Sequence, residues 1–200
     1  MKILAAADIH GDSRLTKKLA EQAKKEHVDL VVLCGDVLGW ATETKNIIKP
    51  FKDVNKKVII IPGNWDDFSS LDAVGNLYKV YNLHGHTLTF EGVSFFGAGG
   101  ASDSPGPGVI TERELYQKLK SAHDKVPKDT KKIMLTHMHP YKSKSEFSGI
   151  HGSKAITNAM TSFKPALLMH GHIHEGAGFE EILNGVRVIN VSRHGRILEV

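Results

Sequence analysis

Short apolar runs that stop abruptly at polar clusters punctuate the chain, and each predicts a strand buried on both faces. Residues 2–8 read Lys2-Ile3-Leu4-Ala5-Ala6-Ala7-Asp8, Leu30-Val31-Val32-Leu33-Cys34 meets Gly35-Asp36, and Val58-Ile59-Ile60-Ile61 meets Pro62-Gly63-Asn64. Residues 13–26 place Leu15, Leu19 and Ala23 on one face with lysines opposite, an amphipathic helix capped by Ser13. A weaker helix is expected over 42–52, giving a β-α-β-α-β start with right-handed crossovers and a mainly parallel sheet. The middle changes style, because 77–80, 86–90 and 93–98 are short, Gly-punctuated and read as hairpin strands. Residues 111–123 predict a helix with Thr111 as cap and Glu114 at the capping-box position. Strands follow at 132–136 and 166–170, with a helix near 153–163 between them. The chain finishes in strands at 179–183, 186–191 and 196–200, the first two joined by the hairpin turn Asn184-Gly185. Two packed sheets between helical layers satisfy this order better than one doubly wound sheet. Residues 99–108, rich in Gly, Pro and Ser, read as a loop, and no internal repeat appears.

Composition narrows the class. A chain of 200 residues with 40% hydrophobic and 24% charged positions predicts one domain over 1–200. Its 26 basic and 22 acidic side chains leave a net charge of +4 with no dominant basic block, which argues against a nucleic-acid partner. The apolar start at 3–7 is too short for a signal peptide, and no run approaches the roughly 18 apolar residues that cross a bilayer. A soluble, cytoplasmic protein without a membrane partner is expected, and homo-oligomerisation stays open. Cys34 stands alone, so neither an intrachain disulfide nor a Cys-based zinc site is available, which fits a reducing compartment. Twelve histidines beside one cysteine shift attention to a metal site built from nitrogen and oxygen.

The order of those groups matters more than their number. Asp8 and His10 follow the first strand, Asp36 the second and Asn64 the third, while His137, then His172 and His174, follow later strands. Open α/β sheets gather ligands at the carboxyl ends of their strands, so residues scattered in sequence are expected to meet in space. Three Asp/Asn side chains and four imidazoles exceed the needs of one ion and suit two ions sharing a carboxylate. Hard oxygen donors mixed with imidazole favour Mn, Fe, Zn or Ni. Two cations about 3.5–4 Å apart would acidify a shared water and so supply hydroxide near neutral pH.

Asp8-Ile9-His10, Gly35-Asp36, Gly63-Asn64, Thr136-His137 and Gly171-His172-Ile173-His174 resemble, in order, the signature of the calcineurin-like metallophosphoesterases. The last piece, with Glu175 and Val188-Ile189-Asn190, resembles the small prokaryotic phosphoesterases of that superfamily. The resemblance implies a four-layer αββα sandwich of two mixed sheets flanked by helices, with a dinuclear metal centre. It implies that Asp8, His10 and His174 hold one ion, Asn64, His137 and His172 the other, and Asp36 bridges, with Mn²⁺ the favoured metal.

One departure stands out. Most family members carry Gly-Asn-His-Asp or Gly-Asn-His-Glu, whereas this chain reads Gly63-Asn64-Trp65-Asp66. The family's histidine contacts phosphate and helps protonate the leaving group, and an indole N–H is not acidic enough to replace it. A small phosphodiester, such as a cyclic nucleotide or an aryl diester, is therefore the expected substrate, with Asp36, Asn64 and His139 as catalytic groups. Asn64, His139 and Trp65 are expected to contact the substrate, with His139 or His151 a possible proton source. The alternatives are a broad phosphomonoesterase and a catalytically weak metal-binding interaction module. Asp12, Asp66 and Glu175 are placed to orient ligands, Gly99-Gly100 to offer amides to phosphate or merely to turn the chain, and Arg193 to contact phosphate. His84 and His86 read as turn residues and His170 as a core residue.

Overall fold

The computed structural model describes residues 1–39, 45–102 and 104–200. The start follows the predicted alternation: β1 (Lys2–Ala6), α1 (Ser13–Lys25), β2 (Leu30–Cys34), α2 (Lys45–Asp53) and β3 (Lys57–Ile61). The expected beginning of α2 at 42–44 lies outside the described residues. Helix α1 is capped by Asp12, one residue before the expected Ser13, with the carboxylate accepting the Arg14 and Leu15 N–H groups. Asp12 therefore caps a helix instead of orienting a metal ligand.

The largest departure follows β3. Residues 77–80 do not form a strand; Leu77 and Tyr78 close α3 (Phe68–Tyr78), Lys79 caps it with left-handed φ, and β4 (Tyr81–Asn82) is only two residues long. Asp67 caps α3 by accepting the Ser70 N–H, and the helix buries Leu71 and Val74. The remaining elements lie where expected to within a residue or two: β5 (His86–Phe90), β6 (Val93–Ala98), α4 (Glu112–His123), β7 (Lys131–Thr136), α5 (Lys154–Phe163), β8 (Leu167–His170), β9 (Glu180–Leu183), β10 (Val186–Asn190) and β11 (Arg196–Glu199). The Thr111–Glu114 capping box is formed in both directions.

Two mixed sheets result, in the orders β11-β1-β2-β3-β4 and β5-β6-β7-β8-β10-β9. Alternation along the apolar strands divides the core among three layers. Ile3, Ala5, Val32 and Ile59 face the second sheet, where they meet Phe95, Ile133, Leu135 and Met169. Leu4, Val31, Val58 and Ile60 turn outward and pack with Leu19, Ile48 and Leu71 of α1, α2 and α3. On the far side Phe96, Met134 and Leu168 pack under Leu115, Leu119 and Ile156 of α4 and α5. The molecule is thus an αββα sandwich, which explains why its strands read as continuous apolar runs with no polar face. The parallel strands β1, β2, β3, β7 and β8 release their chains at one rim, where the polar clusters begin.

Candidate metal centre

At that rim the backbone is bent sharply to turn side chains inward. Asp8, His10, Asp36 and His172 all adopt left-handed φ, at 57°, 49°, 49° and 73°. Non-glycine residues seldom do so, and such conformations persist where the surroundings over-determine them, as at functional sites. The glycines of the sequence motifs have a spatial reason. A Cβ on Gly35 would lie 2.4 Å from His137 Nδ1, one on Gly63 2.0 Å from Asp36 Oδ1, and one on Gly171 2.7 Å from Asp8 Oδ2. Each motif glycine clears room for a donor residue from another strand.

The seven expected ligands come together in two overlapping groups. Asp8, His10 and His174 present donor atoms within 4.8 Å of one another, and so do Asp8, Asp36 and His137. His10 Nε2 lies 3.2 Å from His174 Nε2, and His174 Nε2 lies 3.4 Å from Asp8 Oδ1. In the other half, Asn64 Oδ1 is 3.0 Å from His137 Nε2 and 3.1 Å from His172 Nδ1, and the two ring nitrogens are 3.3 Å apart. Asp36 Oδ2 reaches both halves, 3.6 Å from His10 Nε2 and 3.3 Å from His137 Nε2. Asp8 shares this spanning position, since it belongs to both groups.

The supporting contacts decide which atom each residue offers. His137 Nδ1 sits 3.0 Å from the Cys34 carbonyl, so that nitrogen carries the proton and Nε2 is turned to the centre. His172 is arranged the other way, with Nε2 3.1 Å from Ser104 Oγ and Nδ1 inward. The Asn64 amide donates to the Pro105 carbonyl at 2.9 Å, which aims its oxygen at the two imidazoles. Both Asp8 oxygens accept the His172 N–H at 3.1 Å, and Asp36 Oδ1 accepts the Trp65 N–H at 2.8 Å. Two carboxylates, an amide oxygen and four imidazoles thus converge with their lone pairs inward, a donor set that fits hard or borderline divalent cations.

Charges are distributed accordingly. Burial alone would push the His137 imidazole down, but the adjacent Asp36 carboxylate, with Asp8 and the Cys34 carbonyl, raises it to about 9. Burial would likewise raise the Asp8 carboxyl, yet its hydrogen bond with His174 and the charge of His137 hold it at about 2. His172 is pushed down to about 3 by burial and by the His137 charge. In chelated protein the proton on His137 therefore occupies ground that a cation needs. Its stabilising effect is full below 6.5, the ordinary imidazole value, and is lost as pH rises through about 9. The Asp8 contribution is present above 3.8 and is lost as pH falls toward about 2. Adding Mn²⁺ to chelated protein at pH 7.5 is expected to release about one proton per chain. Calorimetry in buffers of different ionisation enthalpy measures this, and heats independent of buffer would contradict it.

Three sequence expectations need correction. His139 does not face the open side of the site: it is fully buried, its Nε2 lies 3.2 Å from the Ile150 carbonyl, and burial pushes it down to about 4. Its ring instead lies beside His172, centroids 6.2 Å apart and planes 25° from parallel. The amides of Gly99 and Gly100 are committed to His84 Nδ1 and the Pro62 carbonyl, so neither is aimed at phosphate. Asp66 is turned to the backbone: it accepts four N–H groups, from Val37, Leu38, Gly39 and Gly63. It staples the turn after Asp36 to the turn before Asn64. Sequence reasoning missed Ser104 and Pro105 altogether, whose only signal was the Gly/Pro/Ser composition of their loop.

Comparison with known proteins gives the family and the fold. The family model of calcineurin-like phosphoesterases matches residues 1–176. No curated protein matches by sequence. Among solved structures, a Thermus thermophilus protein, TT1561, superposes with a TM-score of 0.73 at 19% identity, covering 94% of this chain and 88% of that one. The phosphopantetheinyl hydrolase of Mycobacterium tuberculosis gives 0.64 at 16% identity over 96% and 88% of the two chains. An archaeal phosphodiesterase gives 0.56 at 17% identity over 99% of each. At these identities the likeness is one of fold, and the family assignment rests on the matched model together with the convergent donors. The chain belongs to the calcineurin-like phosphoesterase family, as a metal-dependent phosphoesterase with its candidate metal centre where the strands of the two sheets end.

Proposed function

We propose that this chain is a dinuclear-metal phosphodiesterase acting on small diesters, cyclic nucleotides and aryl diesters included, with aryl diesters, which expel a phenolate, the faster substrates. The observation that carries the reading is the pairing of a seven-residue donor set with tryptophan at position 65. Asp8, His10 and His174 would hold one ion, Asn64, His137 and His172 the other, with Asp36 shared. Two divalent ions bound there, Mn²⁺ among the choices, supply an acidified water and a clamp on phosphoryl oxygens. The chain itself fixes the donors: the Cys34 carbonyl sets the His137 tautomer, Ser104 holds His172 with Nδ1 inward, Pro105 sets the Asn64 amide, and the Trp65 backbone N–H holds Asp36.

Among the described residues, neither position 65 nor His139 offers an acid for the leaving group. Trp65 has no transferable proton at neutral pH, and His139 is buried and neutral there. Alkyl monoesters, whose alkoxide needs protonation, are therefore poor substrates, while a phenolate or another stable leaving group departs unaided. The lone, buried Cys34 suits a reducing, cytoplasmic setting, and among the described residues no helix is long and apolar enough to cross a membrane. A substrate panel tests the preference. Wild type is expected to hydrolyse bis-p-nitrophenyl phosphate faster than any alkyl monoester, and Trp65→His to raise alkyl-ester turnover by about 10²-fold. Rapid hydrolysis of alkyl monoesters with none of diesters would overturn the reading in favour of a phosphomonoesterase.

A further inference from the structure

We propose that Arg193 is a substrate-positioning residue that clamps the phosphoryl group from the Asp8–His174 side of the centre; this rests on the phosphoesterase reading of that site. The turn after β10 is built to present it. Asn190 donates its side-chain amide to the Ile173 carbonyl at 2.8 Å and accepts the Ser192 N–H at 2.9 Å, tying this turn to the one that carries His172 and His174. The Arg193 N–H then donates to the Ala7 carbonyl at 2.9 Å, next to the ligand Asp8. To follow this path Arg193 adopts a left-handed φ of 62°, a conformation that a long side chain seldom takes without being held in it.

The guanidinium lies against the Asp8 backbone, beside the centre, without a carboxylate partner among the described residues. Its Nη1 donates to the Asp8 carbonyl at 3.3 Å, and it forms no ion pair among the described residues. The arginines on either side behave differently, since Arg187 and Arg196 both pair with Glu180, at 2.7 and 3.0 Å. Arg193 is half-buried and close enough to His174 for its charge to act on that imidazole. A guanidinium carries five N–H donors in a planar fork that matches two phosphate oxygens, and one such donor is spent on Asp8. A backbone carbonyl alone gives no reason for a fixed positive charge at this spot, whereas the oxygens of a phosphoryl group in transfer do. The group cannot give up a proton, so it stabilises charge without serving as the acid that Trp65 lacks. That combination suits a singly charged diester.

The test uses metal-loaded protein titrated with inorganic phosphate, beside steady-state hydrolysis of bis-p-nitrophenyl phosphate. Arg193→Gln is expected to weaken phosphate binding about 10- to 100-fold, the scale of a charge-assisted hydrogen bond. It should raise KM more than it lowers kcat, with two ions still bound. Arg193→Lys should recover part of the phosphate affinity through charge, though not the fork. Phosphate affinity within twofold of wild type in both variants would overturn the proposal, as would a loss that follows a missing metal ion. Phosphate binding needs no turnover, so a protein that hydrolyses no diester would refute the proposed function and leave the Arg193 result readable.

Discussion

Asp36→Asn is expected to lower kcat/KM for an aryl diester by roughly 10²–10³-fold, the scale of losing one preorganised electrostatic group at a reacting centre. The substitution keeps the shape of the side chain, so folding is not the issue. The Trp65 N–H requires an oxygen at the Oδ1 position, where it donates at 2.8 Å, and this forces the new amide nitrogen into the place of Oδ2. An N–H₂ group then points at His10 and His137, which Oδ2 approaches to 3.6 and 3.3 Å. A lone pair shared by both halves becomes a pair of donors facing them. Metal content should fall below two ions per chain while the unfolding temperature of chelated protein changes little. Turnover within tenfold of wild type would show that Asp36 bridges nothing.

Asp66→Ala should be among the most destabilising single changes in the protein. The carboxylate is fully buried and accepts Val37 N–H at 3.0 Å, Leu38 at 2.8 Å, Gly39 at 3.2 Å and Gly63 at 2.9 Å. Removing it leaves those donors without an acceptor, at about 1 kcal/mol or more each, so roughly 4 kcal/mol in all. For a chain of this length that corresponds to a fall in Tm of about 8–16 °C. Activity should fall with it, because the two turns that Asp66 joins carry Asp36 and Asn64. Asp66→Asn, which retains an acceptor on one side, should recover about half of the lost stability. A Tm shift under about 3 °C for Asp66→Ala would contradict the staple.

These two residues mark where sequence reading works and where it stops. Asp36 is legible because a carboxylate at the end of an apolar strand is chemically conspicuous, and six other donors repeat the arrangement. The sandwich is legible for a related reason: strands such as Leu30–Cys34 have no polar face, which requires packing on both sides. The work of Asp66 is hidden, since its partners are backbone amides of its own turn and of the turn after the neighbouring strand β2, and backbone amides have no sequence signature. Ser104 and Pro105 were invisible for the same reason, being brought to His172 and Asn64 by the path of a loop. His139 misled in the other direction. Two residues beyond His137 it looked available to substrate, but the turn after β7 points it inward to the Ile150 carbonyl. Helix α3 escaped notice because only Leu71 and Val74 form its buried stripe and Gly75 interrupts it.

The most direct test of the account is a titration of chelated protein with Mn²⁺, following bound ions per chain and hydrolysis of bis-p-nitrophenyl phosphate in the same samples. The account predicts no hydrolysis before metal is added and full activity when two ions are bound. Two bound ions with no hydrolysis of the diester, or hydrolysis by chelated protein, would contradict it.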